Sequence, residues 1–183
     1  MMVLGAAVFC LAGFGWGMAR HFRRSGPPTG TMLAVALCAL VSAGLNIFGL
    51  SERTIPHPAI AVSIYAAGAV LFWWAVSVSR GKLAACGQGC VSCELLAAGP
   101  YRFVRHPFYT AYNLVWWAGF IATGWWLLGL SAVAMAAIYE RCAREEERGF
   151  LSGPLREQYR RYAFRTGRYF PKLRCPPALR AFQ

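Results

Sequence analysis

The chain of 183 residues contains no aspartate, and its only carboxylate side chains are seven glutamates, set against 19 lysines and arginines. Any acid chemistry must draw on those few glutamates. Charged residues make up 14% of the chain and hydrophobic residues 57%, a balance that excludes an ordinary soluble domain and points to a multi-span membrane protein. Histidine is scarce, with three in all. Seven cysteines are present, but their layout forms no disulfide framework. Cys86, Cys90 and Cys93 share one loop without an evident fourth ligand, so free thiols or a juxtamembrane acyl site suit them better than a metal. The sequence also lacks the context of a nucleotide-binding glycine loop. Gly13-Phe14-Gly15-Trp16-Gly17 lies inside an apolar run with no preceding strand, and the spacing of Gly13 and Gly17 suits close helix packing.

Charge is missing altogether from residues 1–19, 29–51, 54–79 and 107–139. A membrane span needs about 20 apolar residues, so the first three stretches fit one helix each. The fourth has 33 residues, which as one straight helix would be about 50 Å long. Thr123-Gly124 near its middle predicts a break, giving two short helices in a hairpin. The basic residues test this count. With five crossings and the first residue outside, the inner side carries 3 basic residues at 20–30, 4 at 80–105 and 11 from Arg141 onward, which is 18 of the 19. Only Arg53 then lies outside, as the positive-inside rule requires. The expectation is an all-α polytopic membrane protein with five transmembrane helices, helices 4 and 5 forming the hairpin. The basic cluster Arg20, Arg23 and Arg24 follows the first apolar stretch, which predicts an uncleaved first helix rather than a signal peptide.

One membrane domain over 1–183 accounts for the whole sequence: a three-helix part at 1–80, a chemistry-bearing part at 81–173, and a tail at 174–183. Ser25-Gly26-Pro27-Pro28-Thr29-Gly30 reads as a turn, as does Ile55-Pro56-His57-Pro58. Helix 5 is expected to run on past the apolar stretch until Gly153-Pro154. A short amphipathic helix over 155–165 would follow, with Leu155, Tyr159 and Tyr162 on one face and Arg156, Arg160 and Arg161 on the other. His21 and His57 read as loop or flank residues, and Asn46 as a lone polar group bonding a neighbouring helix.

The polar run Gly99-Pro100-Tyr101-Arg102-Phe103-Val104-Arg105-His106-Pro107-Phe108-Tyr109 needs a reason, because burying such groups without partners is costly. In a helix 4–5 hairpin it meets the charged end of helix 5, where Arg141, Arg144 and Glu145-Glu146-Glu147 lie. Arg141 and Glu145 are four residues apart and share a helix face.

Leu95-Leu96-Ala97-Ala98 continuing into that run, together with Arg144-Glu145-Glu146-Glu147, Tyr159-x-x-Tyr162, Arg165, Arg168 and Pro171, resembles the signature of the isoprenylcysteine carboxyl methyltransferase and phospholipid methyltransferase superfamily. The resemblance covers roughly residues 80–173. It implies transfer of a methyl group from S-adenosylmethionine to a lipophilic acceptor at the cytoplasmic membrane face. It assigns cofactor binding to Tyr101, His106, Pro107, Phe108 and Tyr109, with Leu96 lining an adenine pocket. It also implies an acidic cofactor contact at the inner end of the last helix, with an arginine one turn earlier facing the substrate. Arg141 and Glu145 fit that spacing, while Arg144 with Glu146 or Glu147 are the register alternatives. The sequence departs from the pattern at Ala111 and Arg156, where glycine is usual, and Gly149 reads as an insertion.

The cofactor's chemistry agrees with these residue types. Arg105 or His106 can hold its carboxylate through charge-assisted bonds. Glu145 or Glu146 can take its ammonium or ribose hydroxyls, and tyrosine or phenylalanine faces can meet the adenine and the sulfonium. Methyl transfer mainly requires alignment of donor and acceptor, so no metal is called for. The acceptor is a prenylcysteine-like carboxylate or another small apolar compound, with a phospholipid amine as the alternative. An amine would have to lose a proton first. A sterol-type NADPH reductase also carries an Arg-His-Pro-x-Tyr step, but there it is followed by glycine and an acid, where this chain has Thr110-Ala111-Tyr112. A non-catalytic lipid-binding protein would need neither the His-Pro step nor the glutamates, and the topology leaves no call for nucleic acid. Localisation in a bacterial inner membrane, N-terminus outside and C-terminus cytoplasmic, completes the expectation.

Overall fold

A computed structural model describes residues 1–21, 30–79 and 95–172. Six α-helices follow one another: α1 Met2–His21, α2 Gly30–Glu52, α3 Pro58–Ser79, α4 Pro107–Thr123, α5 Trp126–Ser152 and α6 Arg156–Arg165, with a 3-10 turn Gly99–Arg102 ahead of α4. No strand occurs among the described residues beyond an isolated parallel bridge between Val104 and Gly167. The expected tail at 174–183, the turn at 25–29 and the loop cysteines Cys86, Cys90 and Cys93 lie outside the described residues.

α1, α2, α3 and α5 are each long and apolar enough to cross a membrane. α4, with 17 residues, falls just short of that length. The long apolar stretch is divided where glycine permits it. α4 ends at Thr123, Gly124 takes the left-handed conformation (φ 64°), and its amide donates to the Phe120 carbonyl at 2.8 Å. α5 starts at Trp126 and packs against α4. On the opposite flank Arg53 lies over the Trp125 ring, 4.7 Å from its centre. α5 runs without interruption to Ser152, and Gly153 ends it.

The outward faces carry large apolar side chains, among them Phe9, Leu37, Leu40, Phe48, Val70 and Leu130. In water such a surface would be an association site; in lipid it is the expected exterior. Inside, aromatic rings fill the space between α1, α3 and α4. Phe14 stacks on Phe72 at 4.3 Å between ring centres, and Phe108 meets Phe72 edge-on at 5.3 Å. Gly17 lets α1 approach Phe72, since a Cβ there would come within 2.6 Å of that ring, whereas a Cβ at Gly13 would meet Trp73 at 3.7 Å, an ordinary contact.

A small polar hub lies within the bundle. Tyr65 of α3 donates to Asn46 Oδ1 at 3.1 Å, so the lone asparagine of α2 does bond a neighbouring helix. Ser131 of α5 donates to Ser42 of α2 at 2.7 Å. A Cβ on Gly119 of α4 would collide with the Asn46 amide. Gly119→Ala should therefore push that amide off the Tyr65 hydroxyl and destabilise the bundle by about 1–3 kcal/mol, read as a lower thermal midpoint in detergent.

Candidate functional site

Pro107 opens α4, a position where its missing N–H costs nothing. It fixes the preceding turn, in which His106 is the non-helical N-cap residue (φ −123°, ψ 64°). Upstream, Gly99 takes a positive φ of 57° against Val78 and Trp74 of α3, a place no side chain would fit. The 3-10 turn and residues 104–106 are then held from the other side by the segment after α6. The Arg105 amide donates to the Gly167 carbonyl at 2.8 Å and the His106 amide to Arg168 at 3.2 Å. Thr110 of α4 reaches the Tyr169 carbonyl at 3.4 Å. Tyr162 of α6 donates to the Tyr101 carbonyl at 2.7 Å. Two stretches some sixty residues apart in sequence thus form one wall over the end of α5.

Glu147 of α5 is the ionic centre of that wall and is buried. Its Oε1 accepts from Arg105 Nε at 3.1 Å, with Arg105 Nη2 at 3.0 Å, and lies 3.1 Å from His106 Nε2. Its Oε2 accepts from Arg168 Nη2 at 2.6 Å. Arg105 also donates through Nη1 to the carbonyls of Ala163 and Thr166. One turn pair earlier, Glu140 receives Arg168 Nη1, Arg144 Nε at 2.7 Å and the Tyr169 hydroxyl at 2.8 Å. The hydrogen bond that Arg168 donates to Glu147 raises its guanidinium above the ordinary range, and burial followed by the bond to Glu140 raises the Tyr169 phenol. Both groups stay protonated donors at any physiological pH.

Glu146, with its side chain 35% exposed, lies beside this arrangement. Tyr109 donates to its Oε1 at 2.5 Å, and Oε2 lies 3.6 Å from His106 Nδ1. Aromatic faces are layered beside it, with His106 over Tyr109 at 5.6 Å and Tyr109 over Tyr139 at 5.3 Å. Trp116 donates to the Tyr139 hydroxyl at 3.1 Å and fixes that ring. Tyr101 is 5% exposed, yet its hydroxyl has no hydrogen-bond partner among the described residues. Burial pushes this phenol well above its ordinary range, and the nearby Tyr162 and Glu146 add to the effect.

Of the residues expected at the site, the structure brings together Tyr101, Arg105, His106, Tyr109 and Glu146. Pro107 acts through the backbone. Leu96 is half-buried and packs on the core. Phe108 turns to Phe72 in the bundle interior, one side chain round from Tyr109. Arg141 and Glu145 pair with each other at 3.1 Å on the outer face of α5, with side chains 80% and 41% exposed, and do not reach the cluster. The structure adds Glu140, Tyr139 and Tyr169, which the sequence reading passed over, and moves Glu147 to the centre. The buried stripe of α5 (Leu128, Ala132, Met135, Tyr139, Cys142) has the helical period, and continuing it reaches 146 and 147 rather than 145. Among the described residues no group of three or more histidine, cysteine or acidic side chains is arranged to hold a metal.

The family model for phospholipid methyltransferase matches residues 57–156, which takes in α3, the polar run, α4 and α5. No curated protein and no solved structure matches the chain.

Proposed function

The chain belongs to the phospholipid methyltransferase family, and from that premise we propose that it transfers a methyl group from S-adenosylmethionine to a lipophilic acceptor drawn from the bilayer. The acceptor we favour is a phospholipid amine, in keeping with the family; a prenylcysteine-like carboxylate is the other form, distinguished by the product. α4 makes the fifth crossing beside α5 in this reading, and the site opens on the cytoplasmic side, where the arginines concentrate. Membership in a methyltransferase family sets the reductase reading aside.

The observation that carries the proposal is the Tyr101 hydroxyl, buried near Glu146 without a hydrogen-bond partner among the described residues. A buried polar group left unpaired costs about 1–3 kcal/mol, and a bound polar ligand would remove that cost. When bound, S-adenosylmethionine supplies an electrophilic methyl group on a sulfonium. The residues present fit its polar features. Among the described residues Glu146 accepts a hydrogen bond from Tyr109 and has His106 Nδ1 at 3.6 Å, which leaves lone pairs for an ammonium or ribose hydroxyls. Tyr101 offers a hydroxyl that can donate or accept. His106, Tyr109 and Tyr139 offer ring faces suited to a cation. Arg105 and Arg168 are committed to Glu147 and serve as the frame that aims His106. For an amine acceptor, Glu146 Oε2 is the carboxylate oxygen we assign to take the proton. The Arg168–Tyr169 segment ties α4 to α5 beside these groups, Tyr169 meeting Thr110 through its carbonyl and Glu140 through its hydroxyl.

Isothermal titration of S-adenosylmethionine into the detergent-solubilised protein tests the reading. Saturable binding is expected, weakened at least tenfold in His106→Ala. Absence of binding, or binding that the substitution leaves untouched, would count against it.

A further inference from the structure

α6 uses up its apolar face within the protein. Tyr159 is buried and stacks on Phe150 of α5 at 5.0 Å with the rings 4° from parallel, and Tyr162 reaches the Tyr101 carbonyl. The opposite face holds Arg156, Arg160, Arg161 and Arg165, all exposed. The single acid on this helix, Glu157, lies 3.6 Å from Arg161, a weak exposed pair. Arg156, Arg160 and Arg165 have no ion-pair partner among the described residues. Positions 156 and 160 are one turn apart, as are 161 and 165, which puts their guanidinium groups in two neighbouring rows.

Aromatic side chains accompany this basic face. Phe170 is 81% exposed, and Phe164 and Phe103 are also exposed. Lys172 caps the end of α6 by donating to the Ala163 and Phe164 carbonyls, both at 2.9 Å, and sits over the Phe164 ring at 5.9 Å. Phe103 packs against Trp74 at the end of α3. Exposed phenylalanines beside a row of arginines suit the boundary of a bilayer, where a ring can enter the acyl region while neighbouring guanidiniums stay among headgroups. A water-facing surface for a soluble acidic partner would have no use for these rings.

We propose that the arginine face of α6 binds anionic phospholipid headgroups of the surrounding bilayer, with Phe164 and Phe170 as its apolar anchors. Charge complementarity identifies the occupant: guanidinium forks match phosphate oxygens, and a net-anionic leaflet attracts such a basic cluster. The contact bears on the site because α6 carries two of its supports, the Tyr162 bond to Tyr101 and the Ala163 carbonyl that receives Arg105.

Native mass spectrometry of the full chain in detergent, titrated with phosphatidylglycerol or phosphatidylcholine, tests this directly. Bound phosphatidylglycerol should exceed phosphatidylcholine several-fold. The triple variant R156Q/R160Q/R165Q should lose that excess, while Arg53→Gln at the opposite end of the bundle keeps it. Equal occupancy of the two lipids, an excess that survives the triple variant, or one that disappears in Arg53→Gln would overturn the assignment. So would displacement of the lipid by inorganic phosphate or by polyuridylate, which would mark a soluble-anion or nucleic-acid surface. Because lipid adducts are read without cofactor or turnover, the outcome stands apart from the methyltransferase reading.

Discussion

Glu147→Ala should unfold the end of the bundle that carries residues 99–109 and α6. The substitution leaves Arg105, whose side chain is 11% exposed, without its carboxylate, Arg168 with Glu140 in place of two acids, and His106 deprived of its nearest partner. Removing one member of a buried ion pair costs about 3–5 kcal/mol, a large part of the stability of a typical domain. The expected result is a thermal midpoint lowered by many degrees in detergent, with rapid proteolysis after α5. Arg141→Ala and Glu145→Ala provide the contrast. That pair is exposed on the outer face of the same helix and should shift stability by no more than about 0.5 kcal/mol. If Glu147→Ala were as harmless as Glu145→Ala, the ionic centre described for this wall would not be holding it together.

Glu146→Gln should separate binding from folding. The amide keeps the shape of the side chain and still accepts from Tyr109, so the thermal midpoint should stay close to that of the parent protein. The negative charge is lost, however, and with it the charge-assisted bond to a cofactor ammonium or ribose hydroxyl. Bonds to charged groups contribute about 1.5–3 kcal/mol, which converts to a loss of affinity for S-adenosylmethionine of roughly 10- to 150-fold. Titration calorimetry measures the affinity and differential scanning fluorimetry the fold. An unchanged affinity in Glu146→Gln would remove this residue from the site and return the question to the other glutamates of α5.

The sequence revealed the elements more readily than the orientation of their side chains. Long uncharged runs and the breaks at Gly124 and Gly153 are written in composition and backbone chemistry, and the helices end where those residues stand. The polar run at 99–109 also announced itself, since nothing apolar explains it. Which glutamate turns inward did not follow from the four-residue spacing of Arg141 and Glu145. That spacing guarantees a shared face but not which face, and here it is the outer one. The needed information lay further back on α5, in the buried sequence Met135, Tyr139, Cys142, whose period selects 146 and 147. The role of the segment after α6 was harder still to foresee. Arg168 stood out as part of the distal pattern and ion-pairs through its side chain, but the Gly167 and Arg168 carbonyls that receive Arg105 and His106 are backbone groups, which leave no mark in the identity of a side chain.

The bridge between Val104 and Gly167 also orders events in time. A nascent chain can insert its long helices into the bilayer one after another as they leave the ribosome. The amides of Arg105 and His106 must nevertheless wait for the carbonyls of residues 167 and 168 before they are satisfied. The wall formed by residues 104–106 and 167–168 is therefore among the last parts of this protein to be completed during its synthesis, and a chain stopped short of those residues leaves both amides unpaired.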